Sequence, residues 1–142
     1  MSDSMLIKSL TYLGAVPFFI AIYIHASNQV LLGIQGSQWF LTYGLVILSF
    51  MAGTLWGRII NEIYHIKRLA LATNLITLVA WFAFLLLSTQ IALVILALGF
   101  GALYILETTA MKQVERPAYY LSLRFRVTVC VLLAHVILYF QV

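Results

Sequence analysis

Five apolar stretches, each close to bilayer length, follow one another along this chain. They cover about Leu10–Ala26, Trp39–Ile60, Leu69–Leu87, Ile91–Thr108 and Leu121–Phe140. A helix needs about 20 apolar residues to cross a hydrocarbon core of about 30 Å. Barrel strands would instead alternate in segments of about 10 residues, and these runs do not alternate. The pattern predicts an all-α integral membrane protein, a five-helix bundle forming one domain over residues 1–142. Pro17 falls inside the first run and predicts a kink, with the freed carbonyl satisfied by a neighbouring helix. That run also resembles a signal-peptide core, but the sequence before Ala26 lacks a clear small-x-small cleavage pattern, so it reads as a span. There is no internal repeat, and an odd number of spans does not suggest an inverted-repeat transporter.

Composition agrees with the pattern. Of 142 residues, 64% are hydrophobic and 8% charged, against about 25% charged in a soluble domain. Five spans use about 100 residues, and the remainder is too short for a soluble enzyme, a nucleotide-binding domain or a nucleic-acid-binding domain. The net charge of +4 therefore bears on orientation rather than on nucleic acid. Lys8, Arg58, Lys67, Arg68, Lys112, Arg116, Arg124 and Arg126 all fall on one side of the predicted bundle, and the loops of the other side carry no Lys, Arg, Asp or Glu. The positive-inside rule then puts the N-terminus inside and the C-terminus outside.

Few residues could carry chemistry. Glu107 ends the fourth span on the inner face, where Arg58 and Arg124 also lie. Pairing of Glu107 with one of these arginines would tie helices together; independent snorkelling of each charge to water is the alternative. A site for an anionic lipid head built from Arg58, Arg124 and Arg126 is a third possibility. Ser49, Gly53 and Gly57 share one face of the second span, a spacing that lets helices approach closely in lipid. They are expected at a close crossing within the chain, or else at a homodimer or partner interface. Asn74, Thr77 and Trp81 form a polar stripe on the third span, expected to face the bundle interior or line a small cavity. Trp56, Tyr119 and Tyr120 at one interface, and Trp39 with Tyr43 at the other, read as aromatic belts.

No catalytic, cofactor-binding or metal-binding set emerges. His25 and His135 on two helices could in principle ligate a haem, but no second pair or spacing motif supports it. The lone Cys130 reads as a packing residue. No span carries an acidic residue at mid-depth, so a proton or ion relay lacks its usual parts.

Three stretches occur in order: Leu13-Gly14-Ala15-Val16-Pro17-Phe18; then Tyr43-Gly44, Leu48-Ser49-Phe50 and Gly53-Thr54-Leu55-Trp56-Gly57; then Pro117-Ala118-Tyr119-Tyr120-Leu121-Ser122-Leu123-Arg124, followed by Thr128. Together they resemble the domain of unknown function 3429 family over nearly the whole chain. The resemblance implies a small multi-span protein of bacterial inner or mitochondrial inner membranes and implies no activity. The functional expectation is a non-catalytic accessory subunit or assembly factor of a larger membrane complex, a respiratory one by the family's mitochondrial branch. The alternative is a small transporter or lipid-binding protein acting as monomer or homodimer. Membrane lipids and a protein partner within the membrane are the expected contacts, with no nucleic acid.

Overall fold

The computed structural model describes residues 2–62, 66–110 and 118–142. Among them are six helices and one small hairpin: α1 (Asp3–Leu13), α2 (Val16–Ala26), β1 (Val30–Leu31), β2 (Ile34–Gln35), α3 (Gly36–Glu62), α4 (Ile66–Leu86), α5 (Thr89–Ala110) and α6 (Ala118–Gln141). Five helical stretches are long and apolar enough to cross a membrane, α1 and α2 counting together as the first, Asp3–Ala26. This is the all-α bundle expected.

The first span begins earlier than its apolar run and is broken in the middle. Ser2 sets the start: its hydroxyl accepts from the Met5 amide, and Asp3 adds negative charge to the first turn, where the helix dipole favours it. The break falls at Gly14–Ala15. Pro17 has no N–H and lies in the first turn of α2, where that loss costs least. The Tyr43 hydroxyl of α3 donates to the Gly14 carbonyl at 2.7 Å, so a neighbouring helix closes the break; the carbonyl that Pro17 itself frees is that of Leu13, one residue earlier.

The turn between α2 and α3 holds an antiparallel hairpin, with Val30 opposite Gln35 and Leu31 opposite Ile34. Leu32 and Gly33 both have positive φ (53° and 77°), the backbone of a two-residue type I′ turn. The Trp39 indole N–H donates to the Leu31 carbonyl at 3.1 Å, fixing the hairpin to the start of α3.

The core follows the bundle axis and includes Phe18, Phe40, Leu48, Leu93, Leu96, Leu103 and Leu138. The outward faces are also apolar, with Leu71, Leu86, Leu98 and Phe140 strongly exposed. Such a surface suits hydrocarbon and not water. α1 buries none of its residues and lies along the edge of the bundle. Close helix approaches involve Gly36, Gly44 and Gly99. A Cβ on Gly36 would sit 2.4 Å from the His25 backbone nitrogen, and one on Gly99 would sit 3.2 Å from Leu48 Cδ2.

Candidate functional site

One end of the bundle gathers the charged groups. Glu107, near the end of α5, is 8% exposed. Arg124 on α6 donates its Nε–H to Oε2 at 2.8 Å, and its Nη2 lies 2.8 Å from the same oxygen as an ion pair. The Tyr120 hydroxyl donates to Oε1, so both carboxylate oxygens are engaged. Tyr120, Arg124 and Thr128 are four residues apart on α6 and therefore share one face. Of the two pairings expected for Glu107, the one with Arg124 is made. The side chain of Arg58 lies outside the described residues, as do Lys112 and Arg116.

Arg126 does not join this group. Two residues on from Arg124, it points to another side of the helix and is exposed. Of the three arginines of the possible head-group site, Arg124 is held by Glu107 and Arg126 is exposed on another side of α6. Lys8 of α1 sits apart over the Tyr119 ring, 4.6 Å from its centroid.

Beside the Glu107–Arg124 pair lies a cavity of about 450 Å³ bounded by α1, α2, α3, α5 and α6. That is within the range of small-molecule sites, about 300–1,000 Å³. Its polar end is formed by Glu107, Tyr120 and Arg124, and its deep wall by Phe18, Ile47, Phe100 and Val131. Along α5, Phe100 to Glu107 is a rise of about 10 Å, and along α6, Tyr120 to Val131 is about 16 Å. One leaflet of the hydrocarbon core is about 15 Å deep. The cavity therefore runs from an interface to roughly the bilayer centre. The remaining wall is mostly apolar, including Leu10, Met51, Leu55 and Leu103.

Thr128 lines this cavity, is 8% exposed, and makes no side-chain hydrogen bond among the described residues. Sequence reasoning passed over both Tyr120 and Thr128 as site residues. The signal was present in the four-residue recurrence of Tyr120, Arg124 and Thr128 within an otherwise apolar span.

Two placements were expected for the small-residue face of α3, and the geometry bears on the first of them, a close crossing within the chain. A Cβ on Gly53 or Gly57 would meet nothing within 4 Å, so this face makes no close crossing among the described residues. Ser49, Gly53 and Gly57 instead line an open groove with Ala52, Trp56, Asn74, Thr77 and Leu78. Nor does the α4 stripe face the interior: Asn74 is exposed and Trp81 is 44% exposed. α4 turns Thr73, Ala80 and Ala83 inward, because small side chains let it pack closely. Thr77 returns its hydroxyl to the Thr73 carbonyl, and the Asn74 amide has no partner among the described residues.

The two span histidines occupy separate settings. His25 approaches the Gln141 carbonyl at 3.5 Å at the uncharged end. His135 is enclosed by Phe18, Phe40 and Phe100. Its Nδ1 donates to the Val131 carbonyl at 2.8 Å, and its Nε2 has no partner among the described residues. Among the described residues, no group of three His, Cys, Asp or Glu side chains could hold a metal ion.

A family model described as "Protein of unknown function (DUF3429)" matches residues 4–140. The chain belongs to this family. No curated protein and no solved structure matches it. Membership of a family described in these words carries no activity with it, and the geometry above is what bears on function.

Proposed function

We propose that this chain is a small, non-catalytic multi-pass protein of a bacterial or mitochondrial inner membrane that holds one amphiphilic molecule. The head sits at the Glu107–Arg124 pair on the inner face, and the chain runs toward the middle of the bilayer. The observation that carries this reading is the cavity: apolar along about one leaflet and closed at its interfacial end by a buried, hydrogen-bonded ion pair. A purely structural clamp would need the pair but not the cavity beside it. N-in, C-out orientation by the positive-inside rule places the head in the inner leaflet.

The test is native mass spectrometry of protein released from membranes in mild detergent. One adduct of lipid-like mass is expected on the natural protein. It should be lost from Met51→Trp, which fills the cavity from a half-buried position. Absence of any adduct, or equal retention by both proteins, would contradict the reading.

A second reading is favoured by a different observation. The α3–α4 groove exposes Gly53, Gly57 and an Asn74 amide that has no partner among the described residues. An amide in hydrocarbon gains by finding a partner, and glycine lets a helix come close. This supports an accessory subunit or assembly factor, a respiratory complex included, that docks a partner's transmembrane helix here. Gly53→Leu should then leave the fold unchanged and abolish co-purification of the partner. Retained co-purification would remove this reading.

A further inference from the structure

We infer that the hairpin between α2 and α3 is a lipid-binding tip, which sets Leu32 into the headgroup–acyl boundary of the leaflet at the uncharged end of the bundle. This surface shares no residue with the cavity beside Glu107 and lies at the opposite end of the spans.

Leu32 is held in an unfavourable backbone, and its side chain touches almost nothing. It takes the first central position of the type I′ turn at φ 53°. There its Cβ crowds the following carbonyl, a cost that the Asn-Gly pairs common in such turns largely avoid. The side chain is 83% exposed, so contacts within the chain do little to offset that strain. Val30, Leu31 and Ile34 around it are exposed as well, and the tip is apolar. A strained residue that gains little from its own fold directs attention to a contact outside it.

The height of the hairpin says what that contact is. α3 begins at Gly36, where a Cβ would strike the last turn of α2 at His25. The hairpin therefore springs from the level at which the first span ends and the second begins. Trp39 lies three residues into α3, a rise of about 4.5 Å, and helix side chains lean toward the N-terminus. Its indole N–H donates to the Leu31 carbonyl at 3.1 Å. The neighbour of Leu32 is thus held beside the start of α3 rather than standing off it. The layer between hydrocarbon and water is about 5–8 Å thick on each side, and tryptophan marks it.

Charge favours lipid over a protein partner. Residues 27–38 carry no Lys, Arg, Asp or Glu. Nothing there would steer or orient a polar partner, and no charge resists entry into the acyl boundary. Outward apolar side chains continue to this end of the spans, at Leu86 and Phe140. Seating the tip beside them in the leaflet is favourable in proportion to its apolar area.

The experiment places a nitroxide at Leu32→Cys in a Cys130→Ala background, in phosphatidylcholine nanodiscs, and reads its collisions with oxygen and with a water-soluble nickel chelate. Leu98→Cys, on an exposed side of α5, and Ser88→Cys, between α4 and α5, are the references. The Leu32 label should meet oxygen in preference to nickel, as the Leu98 label does. Nickel access equal to that at Ser88 would put the tip in water, and shielding from both reagents would put it against protein; either result would overturn the lipid contact. The nitroxide is itself apolar, so a second variant isolates the leucine. Leu32→Asn suits the turn and removes the apolar tip. A label at Leu31→Cys should then gain nickel access and lose oxygen access relative to the same label beside Leu32. Unchanged access would equally overturn the role given to Leu32.

Discussion

Glu107 and Arg124 offer the sharpest energetic test, because each is nearly buried and each depends on the other. Consider Glu107→Gln, Arg124→Met and the double variant. Opposite charges about 4 Å apart attract by about 4 kcal/mol at an effective dielectric of about 20, and desolvation of the two ions returns much of that. Removing one partner leaves the other charge buried without its match, a loss of about 3–5 kcal/mol. Removing both takes away the stranded charge. What remains lost is the Tyr120 hydrogen bond to a carboxylate and some packing, about 1–3 kcal/mol. The double variant should therefore be no worse than either single, and the coupling energy should reach about 3 kcal/mol. Reversible unfolding in mixed micelles measures it. Losses that add to within about 0.5 kcal/mol would refute the pairing. Arg126→Met is the control: exposed and away from the carboxylate, it should show simple additivity with Glu107→Gln.

Other expectations follow from single contacts. Tyr43→Phe removes the hydroxyl that seals the Gly14 carbonyl and should cost about 1 kcal/mol in the same unfolding assay, with a compensating Gly14 variant unable to restore it. Gly36→Ala drives a methyl into the α2 backbone and should destabilise by about 1–3 kcal/mol or more, whereas Gly53→Ala enters open space and should leave stability within about 0.5 kcal/mol of the natural chain. His135→Phe replaces a ring whose Nε2 has no partner among the described residues, inside a cage of phenylalanines, and gives up the Nδ1 bond to Val131; it should cost about 1 kcal/mol, and a clearly larger loss would indicate a polar role for Nε2. Tags on the two termini should be reached from opposite sides of the membrane, and access to both from one side would reject the N-in, C-out orientation.

The spans were legible because length and hydropathy alone decide what crosses a bilayer. The four later helices coincide with their apolar runs to within about a turn. The first did not, because its start is set by the Ser2 cap and Asp3 rather than by where apolar residues begin. The hairpin was missed because its residues, Val30 to Gln35, are few and its turn uses Leu32 at positive φ, a conformation that leucine does not advertise. Inward and outward faces were the hardest to tell apart. In a soluble protein polarity separates them, but lipid and interior are both apolar. Gly53 and Gly57 looked like a buried crossing and are open; Thr73, Ala80 and Ala83 looked unremarkable and are buried. Charge was more informative. A lone acidic residue at a span end, close to a basic one, pointed to Glu107 and Arg124. Arg126 lies on another side of α6 because proximity in sequence is not proximity on a helix face. Thr128 was hidden because a hydroxyl in a span ordinarily returns to its own helix backbone, as Thr77 and Thr108 do.

The most direct test of a leaflet-deep amphiphile site is photolabelling with a single-chain monoacylglycerol carrying a diazirine at the far end of its chain, followed by peptide mapping. Labelling should concentrate on the deep wall, at Phe18, Phe100 and Val131, and fall away in Met51→Trp. Labels confined to the outward-facing Leu98, Phe140 and their neighbours, and unaffected by that substitution, would mean that the molecule only touches the protein's lipid-facing surface and that the cavity holds no amphiphile.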